Sequence, residues 1–305
     1  IPCSYCQDSE SQLASHCASA YGHTECLEAL IANGVNMESL DKSGRTPLFC
    51  AAANNHFNCV AILLDGIRPE ALNHQDMRGD SALHASCCNG HHECAQIILQ
   101  SGAMPDLQNN KGHTPAHLCK TVQCMQFLYE RGGDLFCLDN NERTALFTAC
   151  AHGRIAVVSL ILEIDEQSTM LDFVDIRGDT PLHGAACNGH SDVVKLLLQT
   201  AADPSIKNRM GFSAGYLAEC NGHIDACKLL EEYGGYKREG LQQQNSSNVE
   251  TTTNNAGQQD GSHNINYKRE YDLSKWSHAQ DPESGHYYYY HVETGETQWE
   301  EPPGY

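Results

Sequence analysis

Hydrophobic positions between residues 13 and 235 occur in pairs of short blocks, and the same phrase returns seven times. Its copies begin at Leu13, Thr46, Ser81, Thr114, Thr144, Thr180 and Ser213, at steps of 33, 35, 33, 30, 36 and 33 residues. In the clearest copy, Thr180-Pro181 opens the first block, Gly189-His190 ends it, and residues 191–198 form the second. Since Thr before Pro is typical of a helix N-terminus, each copy predicts two short helices joined by a turn.

The second block of each copy is too apolar for an exposed helix, which favours burial between neighbouring copies. The clearest one contains Val193, Val194, Leu196, Leu197 and Leu198. The phrase Thr-Pro-Leu-His at residues 180–183, followed by Gly189-His190, resembles the ankyrin repeat. This resemblance implies a mainly α solenoid over residues 13–235, with about seven helix-turn-helix repeats and hairpin fingers between them.

Two repeats depart from the period, which averages about 33 residues. Repeat four, residues 114–143, lacks about three residues where Gly-His joins the helices elsewhere. Repeat five is about three residues longer, with the extra residues around Asp165 to Asp172. A tilt at the middle of the stack and a contact loop are one interpretation, and ordinary variation of loop length is the other.

Histidine and cysteine, 17 and 16 residues, raise the question of metal binding, but most of them follow the repeat. One slot after the capped turn holds His16, His84, His117 and His183, and the Gly-His slot holds His23, His56, His91, His190 and His223. A third slot holds Cys26, Cys59, Cys94 and Cys124, used as small hydrophobic residues. The family's stacking distance of about 10 Å exceeds the ~7 Å Cα limit for a disulfide, so same-slot cysteines cannot pair. We predict no metal site and no cofactor in the array.

Cys3 and Cys6 lie in the N-terminal segment, residues 1–12, outside the repeats. One Cys-x-x-Cys pair supplies half of the ligands of a structural zinc site. The pair is either the end of an upstream zinc module or part of a frayed segment, and the sequence leaves both interpretations open.

After Gly234-Gly235 the periodicity stops, and residues 236–270 become rich in Gln, Asn, Ser, Thr and Gly. Such a composition predicts a flexible polar linker, whose root-mean-square reach over these residues would be roughly 30–35 Å. The following segment, residues 271–303, has Trp276 and Trp299 separated by a tyrosine run and followed by Pro302. It resembles a WW domain, which implies a small three-stranded all-β fold.

The WW resemblance also implies a slot that accepts proline-rich peptide in the polyproline II conformation. Its predicted binding residues are Tyr288, Tyr290, Val292, Thr297 and Trp299. Val292 stands where many tyrosine-reading members have His, so we expect a proline-rich ligand without a required Tyr. The turn from Asp281 to His286 has no Arg, which argues against binding of a phosphoserine ligand.

The fingers between repeats carry a recurring basic residue beside apolar ones, and ankyrin arrays bind proteins there. The predicted contact residues are Lys42, Met77, Arg78, Lys111, Ile176, Arg177, Arg209 and Met210. An acidic or mixed peptide face would complement such a stripe. The alternative is that Lys or Arg near a finger turn is ordinary consensus, with Asp41, Asp76, Asp139 and Asp175 holding the turns.

Charge and motifs limit the possible functions. With 19 Lys+Arg against 39 Asp+Glu, the net charge of -20 argues against direct nucleic-acid binding. No apolar run approaches the ~18 residues of a membrane span, and no catalytic motif occurs. Cysteines spread along a long chain with 40% hydrophobic residues favour reduced thiols, and so a cytoplasmic or nuclear location.

These observations predict a non-catalytic adaptor that holds one protein with its array and a proline-rich segment with its WW-like module. Engagement of one complex by both modules would raise avidity by about 10²–10⁴. The alternative function is the targeting region of a larger enzyme whose catalytic domain lies outside residues 1–305.

Overall fold

The computed structural model describes residues 14–165 and 167–237, and the backbone of three strands within residues 276–298. The chain divides into two units, residues 1–250 and 251–305, and each is described by itself. The predicted N-terminal segment 1–12, with Cys3 and Cys6, lies outside the described residues. The predicted linker does too, apart from its first two residues.

The first unit contains fourteen α-helices within its described residues, two for each of the seven predicted repeats. The first helices are α1 (Ala14–Ala20), α3 (Pro47–Ala53), α5 (Ala82–Asn89), α7 (Pro115–Leu118), α9 (Ala145–Ala151), α11 (Pro181–Cys187) and α13 (Ala214–Cys220). The second helices are α2 (Thr24–Ala32), α4 (Phe57–Gly66), α6 (His92–Gln100), α8 (Val122–Glu130), α10 (Ile155–Ile164), α12 (Ser191–Gln199) and α14 (Ile224–Glu232). A short 3₁₀ helix at Pro69–Ala71 follows α4.

Hydroxyl caps begin the first helices, as the Thr-Pro pattern predicts. The Thr46 side chain accepts from the N–H of Phe49, and the Thr180 side chain accepts from the N–H of His183. Proline follows both caps at a position whose N–H needs no helical partner. At the other end of α5, Gly90 has φ 79°, and this left-handed turn leads directly into α6.

The second helix of each repeat buries the apolar residues that the sequence analysis found too numerous for an exposed helix. In α12 the buried residues are Val193, Val194, Leu197 and Leu198. Each first helix packs against the first helices of its neighbours, and each second helix does the same in its own layer. One hydrophobic core therefore runs from repeat to repeat, and each repeat depends on the next for burial. The solenoid predicted from the sequence is confirmed.

Both irregular repeats have a local structural explanation. The helix α7 has four residues, against seven or eight in the other first helices, because the missing residues come from its C-terminal end. In repeat five, the Asp165 carboxylate accepts hydrogen bonds from the Thr169 hydroxyl and the Met170 N–H at 2.9 and 2.8 Å. Met170 is 1% exposed, so the inserted loop adds a buried residue to the core.

The second unit contains an antiparallel sheet with strand order β1-β2-β3. The strands are β1 (Trp276–Gln280), β2 (Tyr287–His291) and β3 (Thr297–Gln298). Trp276 pairs with His291 in one ladder, and Tyr290 pairs with Thr297 in the other. Among the described residues, no helix is both long enough and apolar enough to cross a bilayer.

Candidate protein-binding surfaces

Each finger is a tight turn held by the side chain of its first residue, an Asp or Asn. The Asp76 carboxylate accepts from the backbone N–H groups of Arg78 and Asp80 at 2.8 and 2.9 Å. Asp41, Asn109, Asp139, Asp175 and Asn208 make the same pair of bonds in their fingers. The expectation that Asp41, Asp76, Asp139 and Asp175 hold the turns is therefore confirmed.

Neighbouring fingers are joined by a ladder of backbone hydrogen bonds. In each step the second residue of one finger donates its N–H to the carbonyl of the third residue of the preceding finger. The bonds are Met77 to Ser43, Asn110 to Arg78, Asn140 to Lys111, Ile176 to Asn141 and Arg209 to Arg177, at 2.9 to 3.1 Å. The six fingers therefore form a continuous surface whose spacing is fixed by the backbone.

All eight finger residues predicted from the sequence are exposed on this surface. The basic ones occupy the second finger position in Lys42 and Arg209 and the third in Arg78, Lys111 and Arg177. The ladder joins the third position of one finger to the second position of the next, so Arg177 and Arg209 lie on directly bonded positions. The row of basic residues is interrupted at finger four, which has Asn140 and Asn141 at these positions. Lys207, just before the last finger, extends the row and was missed by the sequence pattern.

Finger acids and finger bases face different surroundings. Asp41, Asp139 and Asp175 are 6%, 5% and 1% exposed, because their carboxylates point back into the turns. Glu142 is the one acidic residue among the exposed second, third and fourth finger positions of the described fingers. In a chain of net charge -20, the finger tips thus present a surface of opposite sign.

The buried carboxylates are stabilised locally. Burial would raise the pKa of Asp41, but hydrogen bonds from the backbone and side chain of Arg45 outweigh it and lower this pKa. For Asp175 burial prevails and the pKa is raised, although Arg143 lies 3.4 Å from its carboxylate. The Arg143 guanidinium also lies 5.3 Å from the centre of the Phe147 ring. Arg45 and Arg143 are therefore structural cations.

An apolar patch on fingers four and five was not found by sequence reasoning. It consists of Phe136, Leu138, Phe173, Val174 and Ile176, which are 52%, 36%, 41%, 41% and 38% exposed. Of these, only Ile176 was predicted. A usable signal was present, because Leu138 and Val174 occupy the slot just before the first finger residue, where fingers two and three have Gln75 and Gln108.

The histidines of the capped-turn slot are structural. In repeat three, the backbone N–H of Ser81 donates to Nδ1 of His84, so the ring proton lies on Nε2. That Nε2 donates to the carbonyl of His113 at 3.0 Å, in the next finger. His117 and His183 make the same bridges, to Arg143 and Phe212. Burial lowers the pKa of His117 to about 4.

The Gly-His slot also links repeats. His56 and His91 donate from Nε2 to carbonyls at the end of the preceding first helix, Ala20 and Ala53, at 2.9 and 3.1 Å. Repeat five has Arg154 in this slot, and its guanidinium donates to the Cys119 carbonyl at 2.8 Å. A longer side chain is needed because the preceding helix, α7, ends one turn early.

Neither the histidines nor the cysteines form a metal centre in the part of the chain that the structure describes. The fourteen cysteines there are free thiols. Groups of three or more potential ligands with metal-binding geometry are absent from the same residues. The prediction for Cys3 and Cys6 remains a prediction.

The proline-binding residues predicted from the WW resemblance are only partly within the described residues. Tyr288 and Tyr290 belong to β2, and the register pairs Tyr290 directly with Thr297 of β3. Val292 and Trp299 lie outside the described residues. The proposed slot therefore remains a prediction, supported by this strand register.

Comparison with family models gives two matches. The description "ankyrin repeats (3 copies)" applies to residues 2–73, 68–135, 118–208 and 170–239, and "WW domain" applies to residues 274–302. Among solved structures, the human ASB11 ankyrin repeat domain superposes with a TM-score of 0.63 and 27% sequence identity. This match covers 76% of the present chain and 100% of that domain.

Three curated proteins are similar in sequence over the array. The Homo sapiens transient receptor potential cation channel subfamily A member 1 is 29% identical over 195 residues, 61% of this chain. The Arabidopsis thaliana E3 ubiquitin-protein ligase KEG is 26% identical over 66% of it, and the Neurospora crassa ankyrin repeat protein nuc-2 is 29% identical over 67%. The chain spans only 17%, 13% and 19% of these relatives.

Proposed function

Because the chain belongs to the ankyrin-repeat family and carries a WW domain, we propose that it is a non-catalytic adaptor with two separate protein-binding surfaces. Ankyrin repeats and WW domains are protein-interaction modules. In this proposal the fingers bind a folded protein or peptide, and the WW domain binds a proline-rich segment.

The observation that carries the array proposal is the separation of charge on the fingers. Basic side chains are exposed at the tips while Asp41, Asp139 and Asp175 are buried beneath them. The apolar patch adjoins Arg177 on finger five. A partner with acidic residues around one or two apolar anchors matches this surface, because complementary charge favours encounter and apolar contact supplies affinity.

Charge reversal tests the array proposal. We expect Arg78→Glu/Lys111→Glu/Arg177→Glu to lose at least ten-fold in affinity for the array partner, identified beforehand by crosslinking and mass spectrometry. The matched control is Lys120→Glu/Lys195→Glu/Lys228→Glu, which makes the same charge change on exposed residues outside the fingers. Equal binding by both folded variants would refute the finger surface.

For the WW domain we propose a proline run that lacks tyrosine. Val292 supports this, since it replaces a His found in many tyrosine-reading members of the family. With the full chain and fluorescent peptides, we expect binding of a Pro-Pro-Leu-Pro peptide and weaker binding of Pro-Pro-x-Tyr. Tyr288→Ala/Trp299→Ala should abolish binding, and Val292→His should shift preference towards the tyrosine peptide. A wild-type preference for Pro-Pro-x-Tyr would contradict the proposal.

A second candidate function is the targeting region of a larger enzyme. It is favoured by one comparison, since the chain resembles 13% of a protein named as an E3 ubiquitin-protein ligase. Sequencing of the complete transcript distinguishes the two functions, because a catalytic domain in the same reading frame would support the enzyme.

We also propose a reducing compartment, the cytoplasm or the nucleus. The fourteen free cysteines among the described residues support it. Imaging of the tagged protein, with alkylation of its thiols in intact cells, tests this location.

A further inference from the structure

Side chains join the fifth residue of one finger to the first residue of the next. The contacts are the Asn109 amide with Asp80 at 2.7 Å, the Asn208 amide with Asp179 at 2.8 Å, and the Arg143 guanidinium with Asp175 at 3.4 Å. In finger one, the Arg45 guanidinium binds Asp41 of its own finger at 2.8 Å. Where the fifth residue is Asp, the next finger begins with Asn, and where it is Arg or His, the next finger begins with Asp. The two sides of each junction are therefore complementary.

Fingers three and four are joined by a histidine in this position. Nε2 of His113 lies 3.3 Å from Oδ2 of Asp139, whose side chain is 0% exposed. Oδ1 of Asp139 holds the finger turn, but Oδ2 accepts no hydrogen bond of good geometry from the described residues. Histidine is the side chain that ordinarily changes its charge between pH 5 and 8. This junction therefore has a cation only when the ring is protonated, whereas Arg143 is always charged.

We propose that His113 and Asp139 form a pH-dependent lock between fingers three and four, which is strongest in mild acid and weakens as the pH rises through neutrality. Protonation places N–H groups on both ring nitrogens and a positive charge beside the buried carboxylate oxygen, which converts the contact into a charge-assisted hydrogen bond. The same two fingers are joined by the backbone bond from the Asn140 N–H to the Lys111 carbonyl at 3.0 Å, so the lock should hold this bond closed. This proposal does not depend on whether the fingers bind a partner.

The rings that face His113 leave room for its proton in mild acid. Its ring stacks on that of His117 of α7, with 5.7 Å between the centroids, and it interacts electrostatically with His84 of α5. Burial lowers the pKa of both neighbours, that of His117 to about 4. Both rings therefore charge less readily than an ordinary histidine and oppose the protonation of His113 less.

The carboxylate is charged over the same range. Burial would raise the pKa of Asp139, but the His113 ring and the N–H groups of its own finger outweigh burial and lower this pKa, and the Arg143 cation acts in the same direction. The window for the lock therefore lies between about pH 4, where His117 becomes charged, and the ordinary histidine range near 6.5. Stabilisation by a protonated histidine is present at low pH and is lost as the pH rises.

The test measures amide hydrogen exchange of the full chain by NMR at pH 7.5 and 5.5, with each rate divided by the intrinsic rate at the same pH. We expect the protection of the Asn140 N–H to rise about two- to five-fold on acidification, relative to the equivalent N–H groups of Asn110 and Arg209. Those two references lie at junctions with an Asp–Asn pair and no histidine. The comparison between junctions is needed because the buried histidines destabilise the whole array in acid. Equal changes at all three amides would overturn the proposal.

Two variants separate the lock from other effects of pH. His113→Arg introduces the cation that ends finger four and should keep the protection of Asn140 high at both pH values. Asp139→Asn introduces the residue that begins fingers three and six with the same turn bonds, and should remove the pH-dependent difference. The control His92→Gln, on an exposed position of α6, should retain that difference.

A pH-dependent difference that persists in folded Asp139→Asn would also overturn the proposal, because the carboxylate would then have no part in it. Where a variant fails to fold, the wild-type comparison of the three junctions remains decisive.

Discussion

Acid should destabilise the array through its buried histidines, and His117 permits an estimate of the effect. Burial lowers its pKa from 6.5 to about 4, although a hydrogen bond to the Arg143 carbonyl acts in the opposite direction. The unfolded chain therefore binds a proton between pH 6.5 and 4 that the folded chain excludes. Stability from the neutral ring is fully present above pH 6.5 and is lost as the pH falls towards 4.

The magnitude follows from the size of the shift. At about 1.4 kcal/mol per pH unit, His117 alone lowers the free energy of unfolding by up to roughly 3 kcal/mol at pH 4. Burial also lowers the pKa of His16, His84 and His183, so their effects have the same sign. The pKa of Asp41 and Asp139 is lowered as well, but these carboxyls titrate below about pH 4.

Urea unfolding followed by circular dichroism at pH 7.5, 6.5, 5.5 and 4.5 measures this effect. Wild type should lose stability steadily below pH 6.5, while His117→Gln should begin about 1–2 kcal/mol lower and lose less per pH unit. The exposed His92→Gln serves as the control for removal of a histidine. Parallel pH curves for wild type and His117→Gln would refute the assignment to His117.

Four further substitutions should alter the free energy of unfolding by predictable amounts in the same urea assay. Arg154→Ala should cost about 1–3 kcal/mol, because it removes the donor to the carbonyls at the end of α7. Gly112→Ala should destabilise by about 1–3 kcal/mol, because its φ is 75° and a Cβ there would lie 2.6 Å from the backbone N of Asn140. Glu142→Gly should stabilise by about 1 kcal/mol, because its φ is 59°. Ser19→Ala should stabilise by about 1 kcal/mol, because its buried hydroxyl has no hydrogen-bond partner among the residues that the structure describes.

Each of these changes has a result that would contradict its reasoning. Lys195→Ala, on an exposed position of α12, is the control for Arg154→Ala, and equal effects would mean that the guanidinium bonds contribute nothing. A loss of stability in Glu142→Gly would show that the finger turn prefers a side chain there. A destabilised Ser19→Ala would mean that the hydroxyl has a partner, such as water, in solution.

The fold could be predicted from the sequence because its signals are local and repeated. A hydroxyl cap, a proline and a Gly-His turn recur in phase, so each copy supports the others. The finger acids were also predictable, because an Asp side chain that bonds to its own turn needs no distant partner.

Features that depend on the spacing between repeats could not be predicted in this way. Comparison by slot showed which residues are equivalent, but not which residues from different slots are in contact. It therefore missed Arg154, whose role depends on the missing end of α7. It also missed the apolar patch, although Leu138 and Val174 stand in a slot that holds Gln in fingers two and three, because that difference was not compared between the fingers.

The missing residues of repeat four connect the least regular features of the array. Shortening α7 leaves carbonyls without helical partners, and Arg154 compensates from the next repeat. The same shortening turns the chain at Cys119, and the N–H of Lys120 donates to the Cys87 carbonyl at 3.2 Å. Stability at the centre of the array therefore depends on one half-buried cation and on this backbone contact between repeats three and four. Because repeat arrays are coupled only through neighbouring repeats, a change at this junction would affect how the two halves support each other.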